Sequence, residues 1–199
     1  MTKPLFRGLE KHSFGALLVD PPWPYDVRSA KGEGRSASQH YRIMTLRDIA
    51  ALPVGDYADL DSWLFLWITG PLLARGAHVP IMQAWGFEPS GVAFCWVKTL
   101  AKSDPENLSA AKSFHVGMGH TTRHNTELVM LGRRGAAWRR SRSVRELVIA
   151  PRREHSRKPE AVRERIEQFT WGPWLDLFSR ENRKGWVCRG DQTATFGGG

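Results

Sequence analysis

The sequence predicts an α/β fold with a mostly parallel sheet. Short runs of consecutive apolar residues, typical of strands buried on both faces, alternate with segments that have helical features. This alternation favours a parallel sheet flanked by helices. The length of 199 residues suits one domain, which we place at residues 1–196, with a glycine tail at 197–199 that should fray.

The strands and helices are predicted from apolar runs and from the residues at their ends. Pro21 and Pro22 stop the first strand, because proline cannot continue a central strand. Thr45 and Asp48 form a capping box, and Gly86 closes a later helix. The predicted strands are 14–19, 63–68, 92–97, 128–131, 175–178 and 185–188. The predicted helices are 45–51, 72–85 and 159–169.

Two long connecting segments stand out. Residues 26–42 combine glycine, serine and basic side chains, which predicts a mobile basic loop. Residues 100–125 are polar and contain glycine and histidine, which predicts a second long loop. Loops of this length in compact domains are usually functional.

Charge and cysteine content narrow the class of protein. The net charge of +9 favours a polyanionic partner such as nucleic acid, although a basic protein without one has the same composition. Cys95 and Cys188 lie in apolar runs and suit a reducing compartment. The N-terminus has no apolar signal sequence, and no apolar run is long enough to cross a bilayer. We therefore expect a cytoplasmic protein without a membrane contact.

Asp20 and Arg180 each follow a predicted strand. In sheets of this class, ligands bind beyond the carboxyl ends of the strands. We therefore expect these two residues to belong to one site, although 160 positions separate them.

The tetrapeptide Asp20-Pro21-Pro22-Trp23 is the strongest chemical signal. Methylation of an adenine amine is a reaction that this tetrapeptide suits. That amine is a poor nucleophile because its lone pair is delocalised into the ring. Hydrogen-bond acceptors around the amine can aim the lone pair. The Asp20 carboxylate and the Pro21 carbonyl are suitable acceptors, held in place by the fixed φ angles of the prolines. Trp23 then stacks on an extruded base. The alternative is an Asp-Pro turn followed by a core tryptophan.

These motifs resemble the DPPW family of adenine N6-methyltransferases, which includes the catalytic subunit of the eukaryotic messenger-RNA methyltransferase and a bacterial and phage branch. The resemblance covers roughly residues 14–192. It implies a Rossmann-like methyltransferase fold with a circularly permuted order of motifs. Its further segments are His40–Met44, Phe65–Thr69, Trp96–Lys98, Thr122–Glu127, Pro151–Pro159 and Asp176–Arg180.

The resemblance implies transfer of a methyl group from S-adenosylmethionine to the 6-amino group of adenine in DNA. The same reaction on RNA and an inactive nucleic-acid-binding subunit are the alternatives. The implied catalytic residues are Asp20, Pro21, Pro22 and Trp23. The implied cofactor contacts are Asp20, Lys158, Asp176, Arg180, Asn182, Asp191 and Gln192.

Several of these residues leave two interpretations open. Lys158 neutralises the cofactor carboxylate or is a solvated surface charge. Asp176 contacts the cofactor or orients Arg180. Glu127 lines the adenine pocket or forms half of a salt bridge, and the cost of burying an unpaired carboxylate favours the salt bridge. The family often has asparagine at the position of Asp191.

Basic residues outside the cofactor segment are the candidate nucleic-acid contacts. Residues 133–158 hold ten Lys or Arg and two acids, so we expect this stretch and the loop at 26–42 to surround the site, although part of it is a solvated face. A homodimer or a partner subunit would help so short a chain to grip a duplex. No metal is expected, because no compact site fits the spacing of His120, His124 and His155. The predicted contacts are Arg28, Lys31, Arg35, Tyr41, Arg123, Arg139, Arg140 and Arg142.

Overall fold

Seven strands and five α-helices form a three-layer arrangement in a computed structural model that describes residues 3–24, 43–104, 107–108, 112–117, 122–154, 157–191 and 193. The strands are β1 Phe14–Val19, β2 Ala58–Ile68, β3 Glu88–Thr99, β4 Thr126–Arg134, β5 Leu147–Pro151, β6 Trp174–Leu177 and β7 Trp186–Arg189. The α-helices are α1 Lys3–Phe6, α2 Leu46–Ala50, α3 Gly70–Ala74, α4 His78–Ala84 and α5 Glu160–Phe169. No helix within these residues is long and apolar enough to span a bilayer.

The strand order across the sheet is β5-β3-β4-β2-β1-β6-β7. β1 is parallel to both β2 and β6, β6 is parallel to β7, and β3 is parallel to β5. β4 is antiparallel to both of its neighbours, β2 and β3. The predicted mostly parallel sheet is therefore confirmed. Because β4 runs the other way, its first residues lie at the edge where the other strands end.

Each face of the sheet has its own apolar cluster. Successive side chains of a strand point to opposite faces. Leu17 and Val19 of β1 join the cluster that contains Met82 of α4, whereas Leu18 joins the cluster that contains Ile166 of α5. Full burial of one such side chain contributes roughly 1.5–3 kcal/mol. Burial on both faces explains why the central strands have uninterrupted apolar runs.

The predicted helix at 72–85 is wrong in one respect, because two helices occupy this stretch. Gly76 adopts a φ of +67°, which ends α3. The Gly76 and Ala77 amides donate to the carbonyls of Leu73 and Leu72, which is the Schellman pattern of a helix end. Glycine takes this conformation at low cost, so the chain turns before α4 begins.

The strand β5 was not predicted. Its residues lie within the basic stretch 133–158, where arginine and serine precede the short apolar run. The strand pairs with β3 at one margin of the sheet, and Arg165 of α5 donates to the Leu147 carbonyl at 2.5 Å. Tertiary pairing therefore creates a strand that is too short to detect from its own pattern.

Candidate functional site

One edge of the sheet gathers the chemically important residues. Asp20 follows β1, Arg180 follows β6, and Lys158 lies just before α5. The Asp20 amide donates to the carbonyl of Leu177 at 3.3 Å, which fixes the end of β1 beside the end of β6. Asp20, Lys158 and Arg180 line one cavity, together with Trp67, Asp176 and Phe178. The structure thus brings Asp20 and Arg180 to one place, as the shared-edge argument predicts.

A chain of alternating charges begins in this cavity and extends to β4 and β3. Lys158 Nζ lies 3.0 Å from Asp20 Oδ2 and 3.1 Å from Glu127 Oε2. Lys98, near the end of β3, donates to the other Glu127 oxygen at 2.5 Å. The Lys158 ammonium also lies 5.0 Å from the centre of the Trp67 ring, a cation–π distance. Lys158 is therefore a partly buried, paired cation and not a solvated surface charge.

Glu127 reaches the site because β4 is antiparallel, which puts the start of that strand at this edge. The side chain makes two salt bridges, one to Lys158 and one to Lys98. The structure therefore contains the salt bridge that the cost of burial favours. Lys158 contacts both carboxylates, so Glu127 and Asp20 share this lysine as a partner. A contact of Glu127 with adenine stays a prediction.

Burial and neighbouring charges set the protonation of the network. Burial raises the pKa of the Asp20 carboxyl, while Lys158 and Arg180 oppose that rise. Burial also disfavours charge on Glu127, but Lys158 and Lys98 outweigh it and lower the pKa of Glu127 to about 2. Burial lowers the pKa of Lys158, and its two carboxylate partners more than reverse this, so the net pKa is raised. Glu127 and Lys158 are therefore a stable ion pair at neutral pH.

The Asp-Pro-Pro-Trp turn is held by backbone hydrogen bonds. The Trp23 amide donates to the Pro21 carbonyl at 2.8 Å, and the Met44 amide donates to the Pro22 carbonyl at 2.8 Å. The Trp23 indole is 7% exposed and donates through Nε1 to the carbonyl of Trp67 at 2.9 Å. This placement corrects the expectation that Trp23 stacks on the base, because the ring packs in the core and ties the turn to β2. The core-tryptophan alternative fits the structure.

Asp176 has a partner that the sequence did not suggest. Its Oδ2 accepts from Nε of Arg163 at 2.9 Å and from Nη2 at 2.6 Å. Burial raises the pKa of Asp176, and Arg163 and Ser179 counteract that rise. Asp176 lies in the cavity wall, and both of these hydrogen bonds come from Arg163 of α5.

Arg163 and Glu181 are site residues that the sequence interpretation missed. Arg163 is 8% exposed and also contacts Glu181 at 3.1 Å and Ser179 at 3.0 Å. Glu181 accepts further bonds from Arg153 and Arg157. Arg163 lies one position after the apolar Val162, and only this adjacency to the buried face of α5 hinted at a buried role.

The turn after β6 is closely packed against the turn after β7. Phe178 has a φ of +64°, a conformation that costs energy for a non-glycine residue and that often marks functional sites. The Ser179 amide donates to the Arg189 carbonyl at 2.9 Å, and a side chain at Gly190 would collide with the Ser179 backbone. Asn182 and Asp191 are exposed beside this pair of turns.

The predicted nucleic-acid contacts separate into three groups. Arg123 is exposed in the segment before β4, at the same edge as Asp20. Arg139, Arg140 and Arg142 are exposed, but the Arg140 amide donates to the carbonyl of Phe169, at the end of α5 far from Lys158. The expectation that these three surround the site is therefore wrong. The remaining predicted residues, Arg28, Lys31, Arg35, Tyr41 and the cofactor candidate Gln192, lie outside the described residues.

Of the three histidines considered for a metal site, the structure describes one. His124 is exposed, whereas His120 and His155 lie outside the described residues. Within the part of the chain that the structure describes, no group of three or more His, Cys, Asp or Glu side chains is arranged to hold a metal ion.

Comparison with known proteins agrees with this architecture. The MT-A70 family profile matches residues 14–192. The type II methyltransferase M.MunI of a Mycoplasma species is 30% identical over 92% of this chain and 78% of its own length. The human N(6)-adenosine-methyltransferase catalytic subunit METTL3 is 24% identical over 90% of this chain but 28% of its own length.

A third relative bears on the inactive-subunit alternative. The non-catalytic subunit MTB of the Arabidopsis thaliana N6-adenosine-methyltransferase is 38% identical, over 43% of this chain and 10% of its own length. The family match confirms the resemblance and the Rossmann-like α/β fold that it implies. With a family profile that spans most of its length, the chain belongs to the MT-A70 family.

Proposed function

We propose that this MT-A70 methyltransferase transfers a methyl group from S-adenosylmethionine to the 6-amino group of adenine in DNA. The observation that carries the proposal is the convergence of the Asp20 turn, Lys158 and Arg180 on one cavity at the carboxyl edge of the sheet. The Mycoplasma relative, which is named as a type II methyltransferase, favours DNA as the substrate.

The side chains that line the cavity suit the chemical groups of S-adenosylmethionine. Lys158 and Arg180 offer positive charge for its carboxylate, and Asp20 and Asp176 offer negative charge for its ammonium. Phe178 offers an apolar surface for the adenine ring of the cofactor. The exposed Asn182 and Asp191 lie beside the same turns and suit the ribose hydroxyls. Bound there, S-adenosylmethionine supplies a methyl group on a positively charged sulfur.

Besides offering charge for the cofactor ammonium, Asp20 has two roles toward the adenine in this proposal. Its carboxylate accepts a hydrogen bond from the adenine amine, together with the Pro21 carbonyl, and so aims the nitrogen lone pair. When the methyl group passes from sulfur to the nitrogen, S-adenosylhomocysteine is the leaving group, and the proton that the nitrogen loses would pass to Asp20. The pKa of Asp20, raised by burial, makes its carboxylate a better proton acceptor than an exposed aspartate. Lys158 holds Oδ2 of Asp20 and keeps the carboxylate oriented.

RNA adenosine is the second candidate substrate. The human relative METTL3, named as an N(6)-adenosine-methyltransferase subunit, aligns over 90% of this chain. A non-catalytic role is less favoured, because Asp20, Lys158 and Arg180 are all present and converge on the cavity. A partner subunit or second copy and a cytoplasmic location stay predictions.

The decisive experiment is a substrate panel. The protein is incubated with labelled S-adenosylmethionine and with single- and double-stranded DNA and RNA, and the products are digested to nucleosides. We expect label in N6-methyl-2′-deoxyadenosine. Label confined to N6-methyladenosine would support RNA. Label in neither, with S-adenosylmethionine binding intact by calorimetry, would support a non-catalytic subunit and contradict the proposal.

A further inference from the structure

Two tryptophans lie exposed at the edge of the sheet opposite the candidate site. Trp138 is 77% exposed and Trp171 is 55% exposed. Trp138 follows β4, whose last residues lie at that edge because the strand is antiparallel, and Trp171 lies between α5 and the start of β6. Large exposed aromatic side chains are uncommon on monomeric proteins and often mark contact surfaces.

The two tryptophans are carried by adjoining backbone segments. The carbonyl of Trp138 accepts from Nε1 of the buried Trp63 at 2.9 Å and from Oγ1 of Thr170 at 3.4 Å. The Arg140 amide donates to the carbonyl of Phe169 at 2.7 Å. Trp171 directly follows Thr170, so both indoles project from one anchored patch. A fixed backbone under exposed rings gives a preorganised platform.

The charge around these rings is positive. Between positions 133 and 145 the sequence has six arginines and no acidic residue. Arg139, Arg140 and Arg142 are exposed, and Ser141 and Ser143 add hydroxyl groups beside them. Arg134, in contrast, is engaged with the carbonyls of Gly55 and Ala58 inside the protein. We define the tryptophan surface as Trp138, Trp171, Arg139, Arg140 and Arg142.

Acidic residues of α5 border this surface. Glu164 and Glu167 line the same shallow depression as Arg140, Ser141 and Ser143. Glu167 is held by Arg183 at 2.7 and 2.9 Å and by the Trp186 indole at 2.6 Å, so its charge is compensated. Glu164 is exposed, as are Glu146 and Asp61, which accepts from the Ala136 amide at 2.6 Å. The exposed arginines outnumber these three acids; they are Arg133, Arg139, Arg140, Arg142 and Arg145.

We infer that the tryptophan surface is a second nucleic-acid contact, which binds an unpaired strand that flanks the target adenine. The indole faces stack on bases and the arginines neutralise phosphates. Other proteins bind single-stranded nucleic acid by this combination. The positive charge favours this polyanion over a protein partner. The inference rests on the proposed function and extends it to the substrate beyond the reacting base.

The geometry sets the length of strand that is needed. The ten residues of α5 separate the two edges, which corresponds to roughly 15 Å at 1.5 Å per residue. At about 3.4 Å per stacked nucleotide, at least about five nucleotides must lie between the target adenine and the tryptophan surface. A short oligonucleotide therefore fills the candidate site alone, whereas a long one reaches both.

The test compares two single strands and three proteins. One strand has two nucleotides on each side of a single adenine, and the other has fifteen. The double variant Trp138→Leu/Trp171→Leu keeps apolar side chains but removes the aromatic faces, and Ile149→Ala on β5 is the matched exposed control. We expect the Kd for the long strand, measured by fluorescence anisotropy, to rise at least about tenfold in the double variant only. The Kd and methylation rate for the short strand should not change.

The alternatives give different results. An unchanged Kd for the long strand would overturn the inference, as would a loss of self-association with unchanged strand binding, which would indicate a protein contact. Absence of methylation in the wild-type protein would count against the proposed function. The Kd values for the long strand would still show whether the tryptophan surface binds it. The second variant Arg139→Gln/Arg142→Gln should reduce the slope of log K against log salt by about 1.5 for the long strand. An unaltered slope would argue against phosphate contacts there.

Discussion

The two edges of the sheet arrange their charged side chains in opposite ways. At the carboxyl edge, Lys158, Asp20 and Glu127 are half-buried and each charge has an opposite charge within about 3 Å. At the other edge, Arg139 and Arg142 are exposed beside exposed tryptophans. Buried ions are costly unless they are paired, whereas exposed ions cost little and contribute little to stability.

This difference indicates where a substitution should act on folding and where on binding. Removing a partner at the carboxyl edge leaves a charge in a water-poor setting, so stability and catalysis both respond. Removing a side chain at the opposite edge exposes nothing that was buried, so binding alone should respond. Substitutions at each edge can therefore test that division.

The first prediction concerns Asp20→Ala. We expect kcat/KM for methylation to fall at least about a hundredfold, because the amine loses the group that aims it. Lys158 keeps Glu127 as a partner, so the protein should remain folded. Methylation is measured with labelled S-adenosylmethionine, and folding is measured by thermal denaturation.

Two further variants make this result specific. Glu88→Ala removes an exposed carboxylate at the start of β3 and should leave activity unchanged. Asp20→Asn keeps an oxygen acceptor but not the charge, so its activity should fall between those of the wild type and Asp20→Ala. Substantial activity in Asp20→Ala would rule out the assigned catalytic role.

The second prediction concerns the buried pair formed by Arg163 and Asp176. Arg163→Met leaves Asp176, which is 3% exposed, without its principal cation. We expect the free energy of unfolding to fall by about 3–5 kcal/mol, measured by urea denaturation. Arg47→Met, which removes an exposed arginine of α2, should change it by less than about 0.5 kcal/mol.

A double variant separates charge from packing at this pair. Replacing both partners, as in Arg163→Met/Asp176→Leu, removes the unpaired carboxylate and should recover much of the lost stability. If the double variant is less stable than Arg163→Met, the arginine acts mainly through packing and its other contacts to Ser179 and Glu181.

The sequence predicted the parts of the fold whose signals are local. Six of the strands overlap predicted apolar runs, and the Thr45 cap is confirmed by a hydrogen bond from the Asp48 amide to Thr45 Oγ1 at 3.1 Å. The single helix predicted at 72–85 is interrupted at Gly76, whose positive φ ends α3. The strand β5 depends on pairing with β3, which no local pattern reveals.

The site shows the same limit at the level of side chains. The Asp20 motif and the shared edge of the strands were enough to predict from the sequence that Asp20 and Arg180 belong to one site. The partner of Asp176 was not predictable, because Arg163 lies on a charged, polar-looking helix and the pairing is a matter of helix rotation. Trp23 was likewise ambiguous, since a buried indole and a stacking indole have the same sequence signal.

The third prediction uses pH to test the Glu127 ion pairs. A pKa of about 2 in the folded protein, against an ordinary value of 4.5, corresponds to up to about 3 kcal/mol of stability at pH 7. Because the folded-state pKa is depressed, this stability is fully present above about pH 4.5 and is lost as the pH falls toward 2. We expect Glu127→Gln to be less stable than the wild type at pH 7, with a gap that narrows between pH 4.5 and pH 3.

The measurement is urea denaturation of both proteins at pH 7, 4 and 3. Comparing the two proteins removes the contributions of carboxyl groups that titrate in the same range and do not interact with Glu127. Asp20 does interact with it, because Glu127 helps to raise the pKa of Asp20. A gap that stays constant down to pH 3 would show that the Glu127 side chain stabilises the fold by packing or neutral hydrogen bonds and not through its charge.

The last prediction concerns the exposed tryptophans at the edge opposite the candidate site, where we expect the smallest effect on stability. Trp138→Leu and Trp171→Leu should each change the free energy of unfolding by no more than about 0.5 kcal/mol, because both rings are largely exposed and only the Trp138 carbonyl is used internally. Trp67→Leu, which opens a cavity under Lys158, should cost several kcal/mol and is the matched buried control. A loss of about 2 kcal/mol at either exposed tryptophan would mean that these rings serve packing, and exposure would then no longer distinguish the binding edge from the catalytic edge.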